Sequence, residues 1–123
     1  MSGEESLLKG RHILAVDDEE GILESIVDLL DESVIDTAQD YENASRKIEK
    51  GRYDLVILDI MGVEGYELLN ICNQKRVIGV MLTAYAVTPE NIKKSYEDGA
   101  ASFVPKEEMH NITTFLADIY EAK

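Results

Sequence analysis

Five residues of this 123-residue sequence could do chemistry together: Asp17, Asp18, Asp59, Thr83 and Lys106. Three carboxylates brought to one place would repel each other and raise one another's pKa. A hard divalent cation removes that conflict, because carboxylate, carbonyl and water oxygens are what Mg²⁺ takes. An ammonium and a hydroxyl suit phosphoryl oxygens instead. Acids for a metal, with an ammonium and a hydroxyl beside them, point to phosphoryl transfer. A carboxylate can be the nucleophile in such chemistry.

Asp59 ends the run Leu55-Val-Ile-Leu58. A short, β-branched apolar run suits a strand buried on both faces, as in a parallel sheet. A helical segment is the rival reading, but the run is short, and Gly62 and Gly65 follow closely. Ligands of α/β proteins gather at the ends of such strands. The plain alternative for Asp59 is a cap on the next helix.

The other reactive residues need similar elements behind them. His12–Val16 reads as a strand stopped by Asp17-Asp18-Glu19-Glu20-Gly21. Residues 22–30 have helical apolar spacing. Leu23, Val27 and Leu30 suffice for the core face of that helix, which leaves Ile22, Leu29 and Ile26 on its flank. Ser33–Ala38 is a less apolar strand, expected at an edge. A polar helix spans 41–50, with Asp40 as its N-cap and Gly51 in the usual place of a left-handed C-terminal cap. A helix from about Glu64 to Asn73 carries Leu68, Leu69 and Cys72 inward. Val77–Leu82 is the fourth strand and leads to Thr83-Ala84-Tyr85. Thr88-Pro89-Glu90 opens a helix in favourable order, and Gly99 closes it. Ala101–Val104 is the fifth strand, ended by Pro105-Lys106. A last amphipathic helix carries Ile112, Phe115, Leu116 and Ile119. Strand and helix thus alternate five times, which predicts right-handed βαβ crossovers and a parallel sheet covered on both faces.

Composition narrows the function classes. A net charge of −13 argues against binding a phosphate backbone or an anionic membrane. No apolar stretch approaches the roughly 18 residues of a bilayer span, and the acidic start Met1-Ser-Gly-Glu-Glu-Ser is no signal peptide. The lone Cys72 cannot form an internal disulfide, which fits a reducing, cytoplasmic setting. His12 and His110 have no partner at metal spacing. Glu19 and Glu20 read as solvated acids in a first helical turn. Tyr66, Tyr96 and Tyr120 read as partly exposed packing residues, and Lys93 and Lys94 as a solvated helix face.

With its reactive residues placed on strand ends, the chain resembles the receiver domain of bacterial two-component response regulators. The matching residues are Asp17-Asp18, Asp59, Leu82-Thr83-Ala84 and Lys106, with Phe103 at the aromatic switch position three before the lysine. The resemblance implies a doubly wound, flavodoxin-like (βα)5 fold with strand order 2-1-3-4-5. Residues 11–123 would form the domain, after a polar lead-in at 1–10. Asp59 would accept a phosphoryl group from a sensor histidine kinase or phosphotransfer protein. Asp18, Asp59 and the carbonyl of Met61 would hold Mg²⁺, with Asp17 assisting. Lys106 would pair with Asp59 and the phosphoryl group. Thr83, followed by Ala84, would move to a phosphoryl oxygen, and Phe103 would turn inward behind it. The protein would be a switch rather than an enzyme, catalysing only its own phosphorylation and dephosphorylation. Its signal would pass to an effector domain or protein, and activation could pair two copies.

The chain departs from the family in two places. The family usually has a methionine and a proline three and four positions after the phosphorylated aspartate; here Met61 comes two after it and Gly62 follows, in a loop shortened by about two residues. Lysine then proline is common in the family, whereas Pro105 precedes Lys106 here. Two other functions compete. An aspartate-nucleophile phosphatase of the haloacid-dehalogenase type would want an acid where Met61 stands. A flavodoxin-like cofactor binder would want a phosphate loop where Asp17–Glu20 would repel an anion.

Overall fold

In the computed structural model, which describes residues 7–83 and 88–121, five parallel strands form one sheet in the order 2-1-3-4-5. They are β1 (His12–Val16), β2 (Val34–Ala38), β3 (Leu55–Asp59), β4 (Ile78–Thr83) and β5 (Ser102–Pro105). Five α-helices alternate with them: α1 (Glu20–Leu29), α2 (Tyr41–Lys50), α3 (Gly65–Lys75), α4 (Pro89–Glu97) and α5 (Ile112–Glu121). The less apolar β2 lies at an edge, as expected.

All five residues of β3 are buried, because β3 is central and both its faces are covered. Its side chains alternate between two cores. Val56 and Leu58 join Leu14, Val16, Ile48, Leu68, Leu69, Met81 and Phe103 on one face. Leu55 and Ile57 join Ile13, Ala15, Leu23, Ile26, Val80, Val104 and Leu116 on the other. This period of two locks the register, since a one-residue slip would exchange the two faces.

The helix caps follow local chemistry. The Asp40 carboxylate accepts from the Asn43 amide at 2.7 Å, and the Thr88 hydroxyl accepts from the Asn91 amide at 3.2 Å. Gly99, at φ +97°, closes α4 in the left-handed region. Gly51 differs from expectation, for its backbone is extended. Glycine is needed there because a Cβ would lie 2.7 Å from the Tyr53 ring and 2.8 Å from the Lys47 carbonyl.

Helix α1 also departs from expectation. Leu23 and Ile26 are its buried residues and its C-cap Leu30 is buried too, while Val27 is 42% exposed. Ile22 and Leu29 do lie on the flank, half-buried and exposed respectively. Ile26 and Val27 are adjacent on the same broad apolar stripe, so a small rotation of the helix decides which one enters the core. A 3₁₀ segment, Lys106–Asn111, precedes α5 and had no counterpart in the sequence reading. Its signal was Pro105 followed by Glu107 and Glu108, the usual order at a helix start.

Candidate functional site at the C-terminal rim of the sheet

The strand register gathers the reactive residues. Val16 stands opposite Leu58, Asp59 opposite Leu82, and Thr83 opposite Pro105. The residues just past β1 and β5, Asp17 and Lys106, therefore reach the same rim as Asp59 and Thr83. Asp17, Asp59 and Thr83 are all buried.

Lys106 joins this group through three carboxylates. Its Nζ lies 2.7 Å from Asp17 Oδ2, 3.3 Å from Glu19 Oε1 and 3.6 Å from Asp59 Oδ1. Asp17 Oδ1 accepts from the Glu19 amide at 2.9 Å, which folds the chain sharply after β1. Asp17 Oδ2 is buried and has no aligned hydrogen-bond donor, since the Lys106 contact has the distance of a hydrogen bond but not its direction.

Burial dominates the electrostatics. It raises the Asp17 pKa, against the opposing pull of Lys106 and the Glu19 amide. Burial also pushes Asp59 up to about 7; the Asp17 and Asp18 charges add to this and Lys106 opposes it. For Lys106, burial acts downward, but the neighbouring Asp17 and Asp59 carboxylates raise its pKa on balance.

The shortened loop after Asp59 is built on two glycines. Gly62 has φ +84°, and a Cβ there would come within 2.6 Å of the Asp18 carboxylate. A Cβ on Gly65 would lie 2.3 Å from the Asp59 carbonyl oxygen. Between them, Val63 is buried and Glu64 takes the left-handed region at φ 55°. Where the family commonly carries proline, this chain needs a residue with no side chain against Asp18. The bond before Pro105 is trans, and the reversed Pro-Lys order still delivers Lys106 to the rim.

The donor set fits a hard divalent cation. Carboxylate oxygens of Asp17, Asp18 and Glu19 all lie within 4.8 Å of one another. Glu19 is the residue that sequence reasoning missed. It read as a solvated first-turn acid, yet it bonds a lysine 87 residues away, a pairing that no local spacing reveals.

The remaining expectations fall as follows. Met61 is 61% exposed. Phe103 is already buried, packed with Met81 and the residues under α2 and α3. Ala84 and Tyr85 lie outside the described residues. His12 and His110 are exposed, and Cys72 is a free, buried core residue. Lys93 and Lys94 pair with Glu97 and Asp98 one turn along α4. No helix among the described residues is long and apolar enough to cross a membrane.

The family model for the response regulator receiver domain matches residues 13–116. The chain belongs to this family. Among solved structures, it is similar to a CheY-like receiver domain protein from Methanospirillum hungatei JF-1. That match has 25% identity and a TM-score of 0.75, and covers 94% of this chain and 100% of the other. A response regulator from Thermotoga maritima has 19% identity and a TM-score of 0.81 over 91% of this chain and 98% of its own. A BeF3-activated receiver domain of DrrB, a protein that a second structure places in the same organism, has 24% identity and a TM-score of 0.73. It covers 87% of this chain and 97% of its own. No curated protein matches the chain. The receiver domain is a signalling module of two-component phosphorelay, and its acidic cluster is compatible with Mg²⁺.

Proposed function

We propose that this receiver domain, spanning residues 11–123, accepts a phosphoryl group on Asp59 from a sensor histidine kinase or phosphotransfer protein, with Mg²⁺ held by Asp17, Asp18, Asp59 and the Met61 carbonyl. The observation that carries this reading is Asp59 itself. It is a buried carboxylate at the end of the central strand, with a lysine ammonium 3.6 Å away.

The proposed transfer balances as follows. An Asp59 carboxylate oxygen forms a bond to phosphorus as the donor's phosphorus–nitrogen bond breaks. The electron pair leaves with the donor imidazole. Asp59 must be ionised to attack, and with no cation bound its pKa of about 7 leaves it only partly so. Mg²⁺ supplies charge neutralisation for the carboxylates and the transferring oxygens. Lys106 is placed to neutralise a phosphoryl oxygen, so catalysis is positioning plus electrostatics. Thr83, buried at the rim, would take another phosphoryl oxygen, and Phe103 would report that change to the core beneath α2, α3 and α4. The output is a shift between two surface states, because the phosphoryl group binds one state better. An effector or a second copy of the chain would read that shift, and the domain would work in the cytoplasm.

Treatment with Mg²⁺ and a small phosphodonor, followed by intact-mass measurement, tests this. The wild type should gain one acid-labile phosphoryl group and Asp59→Asn none. Equal labelling of the two proteins removes the assignment, and continuous turnover of the donor would favour a phosphatase.

A further inference from the structure

We propose that Asp36, Lys47 and Tyr53 lock the open edge of the sheet and keep β2 from pairing with β2 of a second copy of this chain. β2 stands at the end of the strand order, so one side of its backbone has no neighbouring strand. The Val34 amide donates to the Arg11 carbonyl at 2.8 Å, and the Ala38 carbonyl accepts from the Asp17 amide at 3.2 Å. Residues 34, 36 and 38 therefore turn their backbone groups toward β1, and residues 35 and 37 turn theirs outward. Such an outward row is a template for another strand. Here side chains occupy half of it. The Thr37 amide donates to the Asp36 carboxylate at 3.0 Å, and the Thr37 carbonyl accepts from the Lys47 ammonium at 2.7 Å. Lys47 also donates to that same Asp36 oxygen at 3.1 Å, and the Tyr53 hydroxyl donates to the other at 2.6 Å. Of the two outward amides, only that of Ile35 has no acceptor among the described residues.

The outward row is self-complementary about Asp36. In an antiparallel pair of β2 strands, Ile35 of each copy would exchange hydrogen bonds with Thr37 of the other, and the two Asp36 residues would stand opposite each other. That arrangement has the twofold symmetry of an isologous dimer. The lock opposes it in two ways. The Thr37 backbone groups are already taken, and two like charges would meet directly across the pair. The Tyr53 hydroxyl, and then Lys47, hold the Asp36 carboxyl below its ordinary pKa, so it stays charged at neutral pH. The Lys47–Asp36 pair is 38% and 49% exposed, and an ion pair so open to water adds little to stability. What it contributes is its position against the edge.

Sedimentation velocity of the full chain, at an ionic strength high enough to screen its net charge, tests the inference without phosphorylation. Asp36→Thr combined with Lys47→Ala should lower the dimer dissociation constant at least about tenfold. Adding Ile35→Pro removes an outward amide that gives β1 no hydrogen bond, and should return the constant to its wild-type value. Lys50→Ala removes the same charge as Lys47→Ala, one turn along α2, and should leave the constant unchanged. Hydrogen exchange gives a reading that does not depend on the proline variant folding. In the unlocked protein, exchange of the Ile35 and Thr37 amides should slow as protein concentration rises. A double variant that associates no more than wild type, association that survives Ile35→Pro in a folded protein, an equal effect of Lys50→Ala, or amide exchange indifferent to concentration would each overturn the proposal. So would wild type that already pairs through these amides.

Discussion

Lys106 holds its ammonium 2.7 Å from Asp17 but 3.6 Å from Asp59. The lysine thus serves chiefly the carboxylate next to the nucleophile, and Asp59 keeps little of its compensation. Burial, joined by the neighbouring Asp17 charge and only partly offset by Lys106, puts the Asp59 pKa at about 7 instead of near its ordinary 3.8.

This has a consequence for stability. A carboxyl with a raised pKa binds its proton more tightly in the folded than in the unfolded chain. Below the unfolded value both states are protonated and nothing is gained or lost. Between 3.8 and about 7 the unfolded chain releases the proton first, so stability falls as pH rises, and the full penalty holds above that range. Metal-free wild type should therefore lose melting temperature between roughly pH 5 and pH 8. Asp59→Asn should lose less and be the more stable protein at the upper end. Asp17, shifted in the same direction, is present in both proteins, so the difference between their curves reports on Asp59. Parallel melting curves for the two would show that Asp59 is not the buried acid responsible.

Gly62 and Gly21 separate a glycine the site needs from one it does not. A Cβ at Gly62 meets the Asp18 carboxylate at a left-handed φ. Gly62→Ala should cost roughly 1–2 kcal/mol for the backbone alone and should also weaken Mg²⁺ binding by displacing Asp18. Gly21 lies in the first turn of α1 with nothing near its would-be Cβ. Gly21→Ala should stabilise the fold by about 0.5–1 kcal/mol and leave Mg²⁺ binding unchanged. Denaturant melts and calorimetry on both variants check this; an unchanged Mg²⁺ affinity in Gly62→Ala would break the link between the tight loop and the site.

The helix flanking the site gives a third contrast. Ile26 is fully buried, whereas Val27 is 42% exposed. Ile26→Ala should cost about 2–5 kcal/mol by leaving a cavity, and Val27→Ala less than about 1 kcal/mol. The midpoint of chemical unfolding reads both. Similar losses would mean that α1 is rotated so that Val27 shares the core with Ile26.

The sequence carried the parts of this domain that depend on local chemistry. Asp40 and Thr88 cap helices because their side chains reach amides three residues ahead. Asp59 was legible because four buried apolar residues point to a central strand whose end faces a crevice. What could not be read depends on how elements sit against each other. Ile26 and Val27 share a stripe until α1 docks at one angle. Gly51 looked like a left-handed cap, but it answers to the Tyr53 ring, whose approach no spacing rule contains. Glu19 has the sequence context of any first-turn acid, and only the fold brings Lys106 to it.

The lifetime of the phosphoryl group on Asp59 is the last expectation. Hydrolysis needs a water in line with the Asp59–phosphorus bond. Two residues past Asp59 stands Met61, which can crowd such a water but cannot orient it. Because Met61 is 61% exposed, replacing it leaves the core intact, so any change in lifetime reports on the approach path. Met61→Asn should lose phosphate faster than wild type, on the order of tenfold. This is less than full general-base assistance, since an amide orients water without taking its proton. The measurement is phosphate release from purified, phosphorylated protein in Mg²⁺, with melting temperatures taken alongside. Equal decay rates in two equally stable proteins would show that the Met61 side chain points away from the water's path and that the lifetime is set elsewhere.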